Sequence, residues 1–296
     1  MLFERQRLLL TLVDALGSPV AQTDFQKLLF LYTKECETTP SYDFVPYRFG
    51  SFSFTSYADK RRLIERGLLE ETPQHWSLSE SGRKIARQTR SFSAKVSSFV
   101  SKHGSLRGTP LVRKVYRSHP YYATRSEIVV NILPSADDLA AVEKSRPRRK
   151  GPGLVTIGYE GKTVESYLNQ LLRDSVTLLC DVRRNPLSRK YGFSKSTLRN
   201  ACEHVGITYQ HLPELGIPSE ERRELKSQAD YDALFESYEK DSLPLQGEAL
   251  TKIHMWIEEG HRVALTCYEA ESCQCHRHCV AEALEKAFRP LAAVHL

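Results

Sequence analysis

The sequence predicts an α/β protein in two domains, a mainly helical one followed by one built on a parallel sheet with helices on both faces. Three observations predict it. Apolar residues repeat at helical spacing through most of the first half. In the second half, short apolar runs without polar alternation are separated by helical patterns, as in parallel sheets covered on both sides. Between them, Ser145-Arg146-Pro147-Arg148-Arg149-Lys150-Gly151-Pro152-Gly153 is basic, rich in Pro and Gly and without an apolar residue to bury, so it reads as a linker. The expected layout is 1–144, a linker over 145–153, and 154–296.

A chain of 296 residues has room for two cores, and 41% hydrophobic with 26% charged residues is a globular composition. No apolar run approaches the roughly 20 residues of a membrane span. Glu4, Arg5, Arg7 and Asp14 interrupt what would have to be a signal peptide, so the expectation is a cytoplasmic protein without membrane contact. Seven cysteines, four of them crowded between Cys267 and Cys279, do not make a disulfide framework. The charge of +6 is unevenly placed: residues 1–150 hold 25 Lys/Arg against 15 Asp/Glu, a net of +10, leaving −4 for the rest. A basic half beside a mildly acidic one points to nucleic acid as a partner, with a protein partner as the alternative.

In the first half, Leu8–Leu16 carries a helical stripe ended by Gly17 and Pro19, and Phe25, Leu28, Leu29 and Tyr32 mark a second helix. A third is expected over Ser56–Arg66. Leu68–Thr72 and His75–Leu78 read as two short strands around Pro73-Gln74, and one helix over Ser79–Lys102 should follow. Three helices and a two-stranded wing are the order of a winged helix. On that reading Lys60, Arg61, Arg62 and Arg66 lie on the helix that approaches a phosphate backbone.

In the second half, strands are expected at Leu154–Ile157, Val176–Cys180 and Arg262–Cys267, with helices at Val164–Leu172, Lys195–His204, Ala249–Glu259 and Val280–Phe288. Ligands of open parallel sheets bind beyond the carboxyl ends of the strands. Gly158-Tyr159, Asp181-Val182-Arg183 with Arg184, Ser188 and Arg189, and Cys267-Tyr268-Glu269 fall at three such ends. Asp181 and Glu269 offer oxygens for acid–base work or a metal, and the arginines offer forks for phosphate. Cys267 is a candidate nucleophile at a strand end, although the neighbouring Glu269 opposes its ionisation. His276 could move protons, and Arg277 could hold an anion at the start of the last helix. No cofactor follows from the sequence. A divalent metal remains an alternative, its weak ligand set being Cys267, Cys273, Cys275 and Cys279, whose spacing is wrong for a zinc knuckle.

These segments also carry resemblances. Phe25–Leu31, Tyr42–Gly50, Val115-Tyr116 and His119–Tyr122 resemble the Panacea-type (SocA-like) antitoxin domain, which implies a module that binds protein or DNA. "TIGYEG", "DVRRNPLSRKYGFS", "GITYQHLPELG" and "VALTCYEAESCQCHR" resemble the domain-of-unknown-function family 488 over about residues 154–290. That resemblance implies a Rossmann-like three-layer domain. Ile217 departs from its pattern, and Cys273, His278 and Cys279 lie outside it.

The functional expectation is a nucleic-acid-associated protein with an enzymatic site, of hydrolase type, for a phosphate-bearing substrate. One alternative is a non-enzymatic DNA- or toxin-binding regulator whose second domain senses a ligand or metal; another is thiol chemistry at Cys267. An open functional site would also leave Asp181→Asn, Glu269→Gln and Arg183→Ala at or above wild-type stability, since such sites store repulsion.

Overall fold

The computed structural model describes residues 1–218, 220–221, 225 and 227–296. The chain divides into two compact units, Met1–Arg146 and Pro147–Leu296. The first is mainly helical. Helices α1 (Glu4–Ala15) and α2 (Gln22–Cys36) flank the two-residue strand β1 (Val20–Ala21). A hairpin of β2 (Val45–Tyr47) and β3 (Gly50–Phe52) precedes α3 (Phe54–Glu65), where Ser53 caps the helix by accepting from Ser56 N–H. Strand β4 (His75–Trp76) returns antiparallel to β1, and the expected wing is reduced to a bridge between Leu69 and Leu78. The remainder is α4 (Glu80–Gln88), α5 (Ser93–His103), α6 (Gly108–Ser118), α7 (Val129–Ile132) and α8 (Ala136–Lys144).

The helix expected over Ser79–Lys102 is thus two helices. Thr89 leaves helical geometry at ψ 102°, and its hydroxyl donates back to Ile85 O, closing α4 without any Gly or Pro. Leu8–Leu10, Leu28–Leu31, Phe44, Trp76, Phe99 and Tyr116 share one core. Within it, buried Asp59 accepts from Arg5, Gln6 and Tyr42.

The second unit holds a five-stranded, all-parallel sheet in the order β7-β6-β8-β5-β9. These strands are β5 (Gly153–Gly158), β6 (Leu178–Asp181), β7 (Thr208–His211), β8 (Arg262–Cys267) and β9 (Ala293–His295). The helices are α9 (Val164–Arg173), α10 (Lys195–His204), α11 (Gln228–Ser237), α12 (Gly247–Glu258) and α13 (Arg277–Ala287). Leu154, Leu178, Cys180, Val263 and Leu265 pack on one face with Ile253 and Ile257 of α12 and Leu284 of α13. On the other face the Tyr167 hydroxyl of α9 donates to Thr266 Oγ1 at 2.7 Å. Among the described residues no helix is long and apolar enough to cross a membrane.

Two sheet features position everything that follows. Register pairs Gly158 with Cys267 and Asp181 with Thr266, so the carboxyl ends of β5, β8 and β6 lie side by side. Alternation then sends Asp181 and Thr266 to the α9 face and Cys267, one residue on, to the α13 face.

Candidate active site

Asp181 is completely buried, and Arg183 is 6% exposed. Arg183 Nε and Nη2 donate to the two Asp181 oxygens at 2.8 and 2.5 Å, and Tyr209 Oη donates to Oδ2 at 2.6 Å. Arg183 Nη1 is spent on Tyr159 Oη at 2.8 Å and Phe193 O at 2.9 Å. Burial would lower the Arg183 pKa, but the hydrogen bonds and charge of Asp181 outweigh it and hold the guanidinium above its ordinary value. Tyr209 is pushed up by burial and then by the Asp181 charge. This is a closed ion pair in which both Asp181 oxygens are taken, and Arg183 also borders the cavity described below. The rings of Tyr159 and Phe193 stack beside it, 4.3 Å apart and 9° from parallel.

On the other face, Cys267, Cys275 and His276 are all buried. His276 Nε2 lies 3.0 Å from Val182 O, and Nδ1 lies 3.8 Å from Cys267 Sγ. A carbonyl can only accept, so Nε2 carries a proton and Nδ1 is the ring nitrogen turned toward the thiol. Cys267 Sγ also donates to Glu269 Oε2 at 3.4 Å. Cys275 is held well above its ordinary pKa by burial first and then by hydrogen bonding to and charge on Cys267. Of the two sulfurs, Cys267 is the one that faces both His276 Nδ1 and Glu269 Oε2.

The loop after β8 is fixed by Arg277, which is 1% exposed and donates to Glu269 O at 2.5 Å and Ala270 O at 2.8 Å. It runs so close over β5 that a Cβ on Gly158 would fall 1.8 Å from Glu269 O, which makes glycine obligatory there. Arg277 and Gly158 thus shape the loop.

These elements enclose a cavity of about 290 Å³ lined by Tyr159, Arg183, Arg184, Ser188, Arg189, Cys267 and His276, among others. Arg184 and Arg189 are exposed, while Ser188 Oγ accepts from Lys190 N–H within the loop. Asp181 and Arg277 are not in its lining. Sequence reasoning placed Asp181, Glu269 and Cys267 in one site; the structure brings Glu269, Cys267 and His276 together and sets Asp181 apart. The four cysteines separate likewise. Cys275 joins Cys267 and His276, Cys279 groups with Glu239 and His278, and Cys273 is exposed. The Val182 carbonyl was missed, and no residue type could have announced it.

Residues 163–284 match the family model of the Domain of unknown function DUF488. The DUF488 span includes Asp181 through Arg277 but begins after Gly158-Tyr159, so it is narrower than the resemblance over residues 154–290. No curated protein matches the chain.

In the first unit the basic cluster on α3 divides. Arg61, Arg62 and Arg66 are exposed. Lys60 is 6% exposed, donates to His75 O at 2.7 Å and Thr72 O at 3.3 Å, and sits 5.1 Å from the Trp76 ring centre. Burial lowers its pKa. As an anchor for the β4 turn it is withdrawn from phosphate contact.

Proposed function

We propose that the DUF488 unit is a hydrolase for a phosphate-bearing substrate, nucleic acid or nucleotide, and that the first unit contacts nucleic acid. The observation that carries the reading is the Cys267–His276 pair, its imidazole tautomer fixed by Val182 O, in a cavity rimmed by Arg184 and Arg189. The arginines hold the phosphate oxygens. Cys267 passes its proton to His276 Nδ1 as its sulfur bonds to phosphorus, and the P–O bond to the leaving group breaks. His276 returns the proton to the leaving oxygen, and water then releases the phosphoryl group from sulfur. Glu269, beside the sulfur, accepts a hydrogen bond from the thiol and orients it. A parallel sheet with helices on both faces and a cavity at its carboxyl edge supports a Rossmann-like layering for this unit.

The direct test is turnover on a panel of nucleotides, single strands and duplexes. Arg184→Ala and Arg189→Ala, both exposed on the rim of the same cavity, should each raise KM about tenfold. A panel without turnover, or an unchanged KM in both variants, would overturn the assignment.

A second reading has its own observation. One donor atom each from Cys267, Cys275 and His276 lies within 4.8 Å of the others, and two thiolates with one imidazole are the donor set of a zinc site with an open position. Stoichiometric zinc in purified protein, lost in Cys275→Ser, would replace the thiol step with a metal-centred one.

For the first unit, β4 returning to β1 after α3 supports a winged-helix-like arrangement, in which α3 offers Arg61, Arg62 and Arg66. Duplex binding by the full chain should then weaken steeply with salt. Charge reversal at Arg61 and Arg62 should lower the slope of log K against log salt by about 2, near one counterion per lost contact. Salt-independent association would favour a protein partner.

A further inference from the structure

A second cavity, of about 590 Å³, opens in the first unit where the β2–β3 hairpin faces the start of α2. Tyr47, Phe49, Phe52 and Tyr57 contribute aromatic wall, with the Phe52 ring 4.8 Å from Tyr47 and 4.9 Å from Tyr57. Lys27 and Ser51 also line it, although they are 2% and 0% exposed. Lys27 Nζ donates to Ser51 O at 2.8 Å. Among the described residues no carboxylate reaches it at ion-pair distance, which leaves two ammonium N–H groups unspent. Ser51 Oγ, equally buried, has no hydrogen-bond partner among the described residues.

An unpaired buried ammonium and an unsatisfied buried hydroxyl are both costly, and folds keep such groups where something else completes them. Here they adjoin each other in a cavity walled by aromatic rings, large enough for a two-ring ligand. We propose that this cavity binds a planar aromatic anion, its ring among Tyr47, Phe52 and Tyr57 and its charged oxygens on Lys27 Nζ and Ser51 Oγ. Burial lowers the Lys27 pKa to about 7, against the raising effect of Asp24, and a bound anion would raise it. Rings supply the stacking surface and the charge-assisted hydrogen bonds supply the selection for an anion. The anionic group is a carboxylate or a phosphate, from an aromatic acid or a nucleotide respectively.

Titration calorimetry on the full chain with 1-naphthoate, its neutral isostere 1-naphthamide and AMP tests this. At least one anion should bind with 1:1 stoichiometry, and naphthoate about tenfold or more tighter than naphthamide. AMP above naphthoate would identify a phosphate ligand, and the reverse order a carboxylate. Lys27→Met keeps the buried stem and should abolish the preference for naphthoate over naphthamide, and Ser51→Ala should weaken naphthoate binding several-fold. Equal affinity for naphthoate and naphthamide, binding that survives Lys27→Met unchanged, or no saturable binding by any of the three would overturn the proposal. The wild-type comparison and Ser51→Ala stand even if Lys27→Met fails to fold.

Discussion

Cys267→Ser is expected to lower kcat by about 10³-fold or more once a substrate is in hand, because an alcohol beside the same imidazole gives up its proton far less readily than a thiol. Folding should survive: serine is close to isosteric, and Glu269 Oε2 and His276 Nδ1 remain as acceptors. Thermal midpoints within a degree or two of wild type would therefore accompany the loss. Cys267→Ala should be as inactive, whereas Cys275→Ser, which leaves Cys267 beside His276, should lose far less. Full activity in Cys267→Ser would move the chemistry to Glu269, and Glu269→Gln would then be the inactive variant. Equal loss in Cys267→Ser, Cys275→Ser and His276→Ala, together with loss of bound zinc, would assign all three as ligands.

Asp181→Asn should be the most destabilising single exchange in the second unit. It leaves Arg183, 6% exposed, without its counter-charge, and breaking a buried pair from one side costs about 3–5 kcal/mol. For a unit of this size that is a fall of roughly 10 °C in midpoint. The double variant Asp181→Asn/Arg183→Met should recover much of the loss, since removing both charges also removes the stranded one. This reverses the expectation from sequence, where both residues were placed in an open site whose truncation leaves stability untouched. A midpoint at or above wild type in Asp181→Asn would restore that view and return Asp181 to the list of reacting groups.

The reason for the reversal is parity. Asp181, Arg183 and Cys267 were legible as strand-end polar residues because β6 and β8 are short apolar runs, and the sequence located both strands to within two residues. What it could not supply is the register between them. Once Asp181 pairs with Thr266, alternation puts the carboxylate and the thiol on opposite faces, while a register differing by one residue would have put them together. Helix α10 over Lys195–His204 was readable from its periodicity. The hairpin β2–β3, helix α11 and the edge strand β9 were not, since their runs are too short or too polar for a pattern to stand out. Lys60 misled for a related reason: its charge is plain in the sequence, but the carbonyls of Thr72 and His75 that consume it are not.

The clamp that Arg277 places on Glu269 O and Ala270 O has a consequence for how such a site can diverge. Cys267, Glu269, Cys275, His276 and the clamp itself lie on one short, self-bracing stretch of chain, whereas Arg184, Ser188 and Arg189 belong to a separate loop contributed by another strand. On the proposed function, reactivity and recognition are thus carried on different segments that meet across the cavity. Substitutions or length changes in the arginine loop can retune what is bound while the reacting groups keep their geometry. The same exchanges made between Cys267 and Arg277 would disturb both the loop and the chemistry it holds.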